Sequence, residues 1–143
     1  MGRIMAVDYG RKRTGLAVTD PLQIIANGFC TVPGNEAVAF LKAYVALEKV
    51  DLFVVGYPKQ MNNEPSENMQ YVQAFVRRLQ KELPGIPVEF VDERFTSVMA
   101  HQAMIDGGLP KKRRQDKALA DVISATLILR DYLEMKRLHN KDI

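Results

Sequence analysis

Three acidic positions are placed by their local pattern where an ordinary surface acid would not be: Asp8, the pair Asp92 and Glu93, and Asp121. Ile4, Ala6 and Asp8 alternate along an apolar run, so Asp8 shares a strand face with core residues. Asp121 recurs at helical spacing with Ala125, Ile128, Leu129 and Tyr132, which puts its carboxylate on the stripe that presses against the rest of the fold. Burying an unpaired carboxylate costs on the order of several kcal/mol, so a metal ion, a basic partner or water access at a sheet edge must compensate it. Asp92 and Glu93 follow the run Val88 to Val91, where a strand leaves its sheet, and Arg94 comes next.

Each acid alone also fits a plain structural role: a turn residue before Gly10, a surface ion pair, a buried salt bridge. Taken together, acids far apart in the chain and accompanied by basic loops fit a hard-cation site built only from oxygen ligands, suited to Mg²⁺ or Mn²⁺. His101 and His139 are isolated from any partner at ligand spacing, and the single Cys30 excludes both an intrachain disulfide and a thiolate metal site. Cations gather at Arg11, Lys12 and Arg13, at Lys111, Lys112, Arg113, Arg114 and Lys117, and at Lys136, Arg137 and Lys141. A net charge of +3 does not by itself identify a polyanionic partner. The clustering carries more information than the total.

The elements that must hold these residues can be read from the apolar pattern. Ile4 to Asp8, the stretch TGLAVTD ended by Pro21, and Ile25 to Val32 read as three strands. Asn35 offers a cap for a helix over Glu36 to Lys49, where Ala37, Phe40, Leu41 and Tyr44 recur at helical spacing. Leu52 to Gly56 is a continuous apolar run suited to a strand buried on both faces. Met69, Val72, Phe75, Val76, Leu79 and Leu83 mark a second helix, ended by Pro84, Gly85 and Pro87. Val88 to Val91 is the last strand. Thr96 can cap a short helix reaching Gly107 and Gly108, and a final helix spans Asp116 to Met135 after the basic loop. The order predicts an α/β domain with a part-antiparallel, part-parallel sheet. At 143 residues, 47% of them apolar and 26% charged, the chain reads as one globular domain over residues 1–143. It has no apolar run long enough for a membrane span and no signal-peptide pattern, so a cytoplasmic location is expected.

Four segments in order, VDYGRKRTGLAVTD, VVGYPKQMNNEPSENMQYVQAF, VDERFTSVMA and DVISATLILRDYL, resemble the YqgF or RuvX family of Holliday-junction-resolvase-like proteins, and the resemblance covers nearly the whole chain. It implies a ribonuclease H-like fold: a five-stranded mixed sheet, its first three strands antiparallel, with helices on both faces. It also implies a nuclease that matures the 5′ end of precursor 16S rRNA, with an older role in Holliday junction resolution. By motif position it assigns the acidic places to Asp8, Glu93 and Asp121, choosing Glu93 over Asp92. One departure concerns the related RuvC resolvases, which carry a second acid one turn after the first in the last helix; here that place is Ser124.

The expected mechanism follows. Asp8, Glu93 and Asp121 hold one or two Mg²⁺ or Mn²⁺ ions, about 3.5–4 Å apart where there are two. Arg13 and the segment Lys111, Lys112, Arg113, Arg114 to Lys117 hold phosphates, and Arg94 either contacts phosphate or orients the acids. The partner is nucleic acid, precursor rRNA or branched DNA, and the chain is a monomer or weak homodimer. Three rivals are carried: an ATP-dependent enzyme of the actin and sugar-kinase type, which needs two such domains; a non-catalytic RNA-binding assembly protein; and a branched-DNA endonuclease, which needs a dimer with two sites.

Overall fold

The computed structural model describes residues 2–57, 68–92, 102, 106 and 116–141, with residues 139–141 described by backbone alone. The chain runs through β1 (Arg3–Asp8), β2 (Arg13–Thr19), β3 (Ala26–Pro33), a 3-10 turn (Gly34–Glu36), α1 (Ala37–Leu47), β4 (Val50–Tyr57), α2 (Met69–Glu82), β5 (Val88–Asp92) and α3 (Lys117–Lys141). The five strands form one sheet in the order β3-β2-β1-β4-β5. β1, β2 and β3 pair antiparallel, while β4 joins β1 and β5 joins β4 in parallel. The parallel strands β1, β4 and β5 therefore finish at one edge of the sheet. In open α/β sheets the carboxyl ends of the strands are where ligands bind.

Alternation along each strand splits the core in two. Met5, Val7, Leu16, Val18, Phe53 and Val55 face α1 and α2, meeting Val38, Leu41, Val72, Phe75, Val76 and Leu79. Ile4, Ala6, Ala17, Val54 and Val91 face the other way, against Ala125, Ile128 and Leu129 of α3. Burying one side chain of Leu or Phe size is worth roughly 1.5–3 kcal/mol, so both layers hold the sheet firmly. β4 is buried at Phe53, Val54 and Val55, as its unbroken apolar run requires.

The helix ends show local chemistry at work. Asp116 caps α3, its Oδ1 accepting from the backbone N–H groups of Ala118 at 3.0 Å and Leu119 at 3.3 Å. Thr31 Oγ1 ties the same turn to β3 by donating to the Ala118 carbonyl at 2.7 Å. Two expectations need correction. Asn35 does not cap α1; it lies inside the 3-10 turn, and Glu36 takes the cap position without a side-chain hydrogen bond, because the chain leaves β3 already wound. α3 also runs on to Lys141 rather than ending at Met135, since nothing between them breaks a helix. The short helix expected from Thr96 falls almost wholly outside the described residues; Gln102 and Asp106 are helical, and Gln102 Nε2 donates to Asp106 at 2.8 Å. Among the described residues no helix is long and apolar enough to cross a membrane.

Candidate active site

Asp8 is the last residue of β1 and sits opposite Gly15 of β2 in the ladder. Its parity is that of Ile4 and Ala6, so it lies on the face covered by α3. Gly15 explains how α3 reaches it. A Cβ on Gly15 would lie 2.1 Å from the Asp121 carbonyl oxygen and 3.0 Å from the Asp121 Cβ, so no larger residue fits beneath the helix at this point. Gly28 on β3 clears the next turn in the same way, where an added Cβ would come within 2.7 Å of Val122 Cγ1. The two glycines seat the first turns of α3 directly on the sheet, and Asp121 comes to line the same cleft as Asp8.

A cleft of roughly 570 Å³ opens over the two acids, lined by Asp8, Tyr9, Gly10, Arg11, Lys12, Arg13, Asn68 and Asp121. Within it Arg13 Nε donates to Asp121 Oδ2 at 2.8 Å, with the two side chains 40% and 23% exposed. Burial pushes the Asp121 carboxyl above its ordinary value, and the Arg13 guanidinium pulls it back only in part. The loop between β1 and β2 that carries the cations is braced from α2. Tyr9 stacks on Phe75 with ring centroids 4.5 Å apart, Arg11 lies 3.9 Å over the Tyr71 ring, and Asn68 Nδ2 donates to the Tyr9 carbonyl at 3.4 Å. Thr14, fully buried, bonds Gly10 through its hydroxyl at 3.2 Å.

Of the residues singled out in the sequence, Asp8, Arg13 and Asp121 come together in this cleft. Lys117 is exposed in the first turn of α3, one turn before Asp121. Glu93, Arg94, Lys111, Lys112, Arg113 and Arg114 lie outside the described residues. β5 brings the chain to the same edge as Asp8, and its alternation bears on the choice between the paired acids. Val91 packs on the α3 face, whereas Val88 packs on the α1 and α2 face, so Asp92 stands on the side away from Asp8 and Asp121. The basic partner demanded by Asp121 is Arg13, 108 residues away in sequence. The bracing roles of Tyr9, Asn68, Tyr71 and Phe75 were not read from the sequence, where Phe75 marked only the apolar stripe of a helix.

A second cavity, of roughly 790 Å³, lies at the opposite edge of the sheet, lined by Leu22, Ile24, Ile25, Leu133 and the polar side chains of α3. It is larger, but its acid Glu134 already pairs with Arg137. Carboxylates and cations converge instead in the smaller cleft.

The donor set there fits a hard divalent cation. Asp8 and Asp121 offer oxygen ligands, and the cleft already draws a positive charge onto Asp121. Among the described residues no group of three His, Cys, Asp or Glu side chains gathers.

The sheet order, the helices on both faces and the acids at the carboxyl edge define an α/β protein of the ribonuclease H-like class. Its fold matches that of Thermus thermophilus RuvC, solved in complex with a Holliday junction substrate, with a TM-score of 0.53 and 18% identity over 95% of this chain and 97% of that one. The sequence profile of the RuvX Holliday junction resolvase family matches residues 2–135, and the chain belongs to that family. A relative from Parabacteroides distasonis is 65% identical over 137 residues, 96% of this chain and 98% of its own. One from Bacteroides fragilis is 62% identical over 138 residues, 96% of this chain and 100% of its own. Both carry the provisional name pre-16S rRNA nuclease.

Proposed function

We propose that this chain is a metal-dependent nuclease that hydrolyses phosphodiester bonds in nucleic acid and processes the 5′ end of precursor 16S rRNA. The observation that carries the reading is the meeting of Asp8 and Asp121 at the carboxyl edge of the sheet, under a loop of three cations. Relatives covering nearly the same length support the substrate.

Asp8, Glu93 and Asp121 are the carboxylates of the site. Glu93 is preferred to Asp92 because the family motif assigns the acid to that position, and because Asp92 shares the strand parity of Val88, on the α1 and α2 face. Mg²⁺ or Mn²⁺ held by these acids would supply a Lewis acid and an activated water. The protein does the rest. Asp8, on the central strand, and Asp121, on a helix seated against glycine, are held in fixed geometry, which limits the reorganisation needed at the moment of reaction. Arg11, fixed over Tyr71, and Lys12 set a positive rim for the phosphate backbone. Arg13, Arg94, Lys111, Lys112, Arg113, Arg114 and Lys117 extend that footprint, so binding weakens steeply as salt rises. The chain works as a single cytoplasmic domain, as a monomer or weak homodimer.

The test is incubation of the purified protein with precursor 16S rRNA and, separately, with branched DNA, each with Mg²⁺, Mn²⁺ or EDTA. Metal-dependent cleavage of the rRNA is expected, lost in Asp8→Asn, Glu93→Gln and Asp121→Asn while RNA affinity stays close to that of the parent. Cleavage of branched DNA alone would make branched DNA the substrate. Full activity in any metal-saturated variant would remove that residue from the site.

A further inference from the structure

The bond between Arg13 and Asp121 is more than a surface ion pair. Arg13 opens β2 opposite Pro33, and its parity with Gly15 and Ala17 directs it to the α3 face. Its Nε reaches Asp121 Oδ2 at 2.8 Å at the mouth of the cleft, where the 40% exposed side chain has room to swing. The neighbouring Arg11 is engaged over Tyr71. Arg13 thus neutralises an acid that, on the reading above, must also serve a divalent cation. Both cannot use the same carboxylate oxygen at full strength.

We propose that Arg13 is an exchangeable counter-cation: it holds Asp121 in the metal-free protein, gives the carboxylate up when a divalent cation enters, and turns to a phosphate of the nucleic acid. The physical reason is charge. A guanidinium left beside a divalent ion is repelled by it, and a phosphodiester at the cleft mouth offers the nearest negative partner, in the bidentate geometry that guanidinium favours. Metal and nucleic acid then assist each other by the same factor, because each removes an obstacle to the other. Arg13 is a positioning residue in this scheme, acting through Asp121 and the bound strand. The inference rests on the carboxylate reading of the site, and its test can fail separately from the test of cleavage.

The experiment titrates Mn²⁺ calorimetrically into the full chain without nucleic acid, comparing the parent with Arg13→Gln and Arg13→Lys. Removal of the competing charge is expected to tighten Mn²⁺ binding to Arg13→Gln about fivefold to tenfold, roughly 1–1.4 kcal/mol, with Arg13→Lys between it and the parent. Repeating the titration with a saturating phosphorothioate oligoribonucleotide should tighten Mn²⁺ binding to the parent and have a smaller effect on Arg13→Gln. Thermal melts check that both variants fold, which the exposed position of Arg13 favours. Unchanged or weaker Mn²⁺ binding in Arg13→Gln would show that Arg13 only steadies Asp121, and would overturn the exchange. No Mn²⁺ binding by the parent would overturn it too. Tighter binding in Arg13→Gln together with no cleavage of any substrate would keep the exchange and sink the nuclease reading.

Discussion

On one face of the sheet Met5, Leu16, Phe53 and Val55 fill the space beneath two helices; on the other, Ile4, Val54 and Val91 pack on α3, but under its first turns Ala6, Gly15, Ala17 and Gly28 leave room for little more than the helix backbone. The first face is built for volume. Its large side chains hold α1 and α2 away from the strands, and nothing polar is asked of them. The second face is built for proximity. Small residues bring α3 close enough for the short side chain of Asp121 to share a cleft with Asp8, which a layer of Leu or Phe would have prevented. A catalytic cluster that joins a strand to a helix therefore belongs on the small-residue face, and the two faces should respond differently to substitution.

Breaking the site without touching either core should have the largest effect. Asp8→Asn is expected to lower metal-dependent cleavage by about 10³-fold or more, roughly 4 kcal/mol of transition-state stabilisation, while thermal melting stays close to the parent. A melt lowered as far as the activity would mean that the residue is structural. On the volume face, Leu41→Ala should cost about 2–5 kcal/mol of stability through the cavity left behind. Its kcat at low temperature, where the protein stays folded, should be unchanged, as single-turnover cleavage would show. Gly15→Ala tests the proximity face. The methyl group cannot fit against the Asp121 backbone, so α3 must shift; overpacking costs about 1–3 kcal/mol, and a displacement near 1 Å lowers activity by about 10²-fold. Gly15→Ala with full activity would separate the seating of the helix from the chemistry.

The smallest effect concerns pH. The folded Asp121 carboxyl is pushed above the ordinary 3.8, first by burial, with Arg13 opposing. The folded state therefore keeps its proton longer than the unfolded chain does. This contribution to stability is complete below 3.8 and is lost as pH rises through the higher folded value. In metal-free protein, Asp121→Asn should flatten that part of the stability profile and leave Tm at neutral pH equal to the parent or slightly higher. A marked drop in Tm at neutral pH would show that the Arg13 bond outweighs the burial cost.

The two core layers were legible in the sequence because period 2 in the strands and period 3.6 in the helices report directly on which side chains meet. Met69, Val72, Phe75, Val76 and Leu79, read as one helical stripe, are all buried. Asp8 and Asp121 were legible for the same reason: an acid at a core-facing position conflicts with its own pattern. Asn35 misled because a cap residue marks the start of a helix only where the preceding backbone is extended, and here a 3-10 turn intervenes. Arg13 as the partner of Asp121 was not legible, since no local pattern links residues 108 apart.

The sequence by itself determined the elements, the faces they bury and the acids that violate those faces, because each follows from neighbours within a few residues. Only the tertiary structure decided that Gly15 lies under Asp121, that Arg13 crosses the cleft to neutralise it, and that Asp92 stands on the face away from Asp8. These depend on strand order and on how closely one helix lies on the sheet, and both are set by packing between segments that the chain keeps far apart.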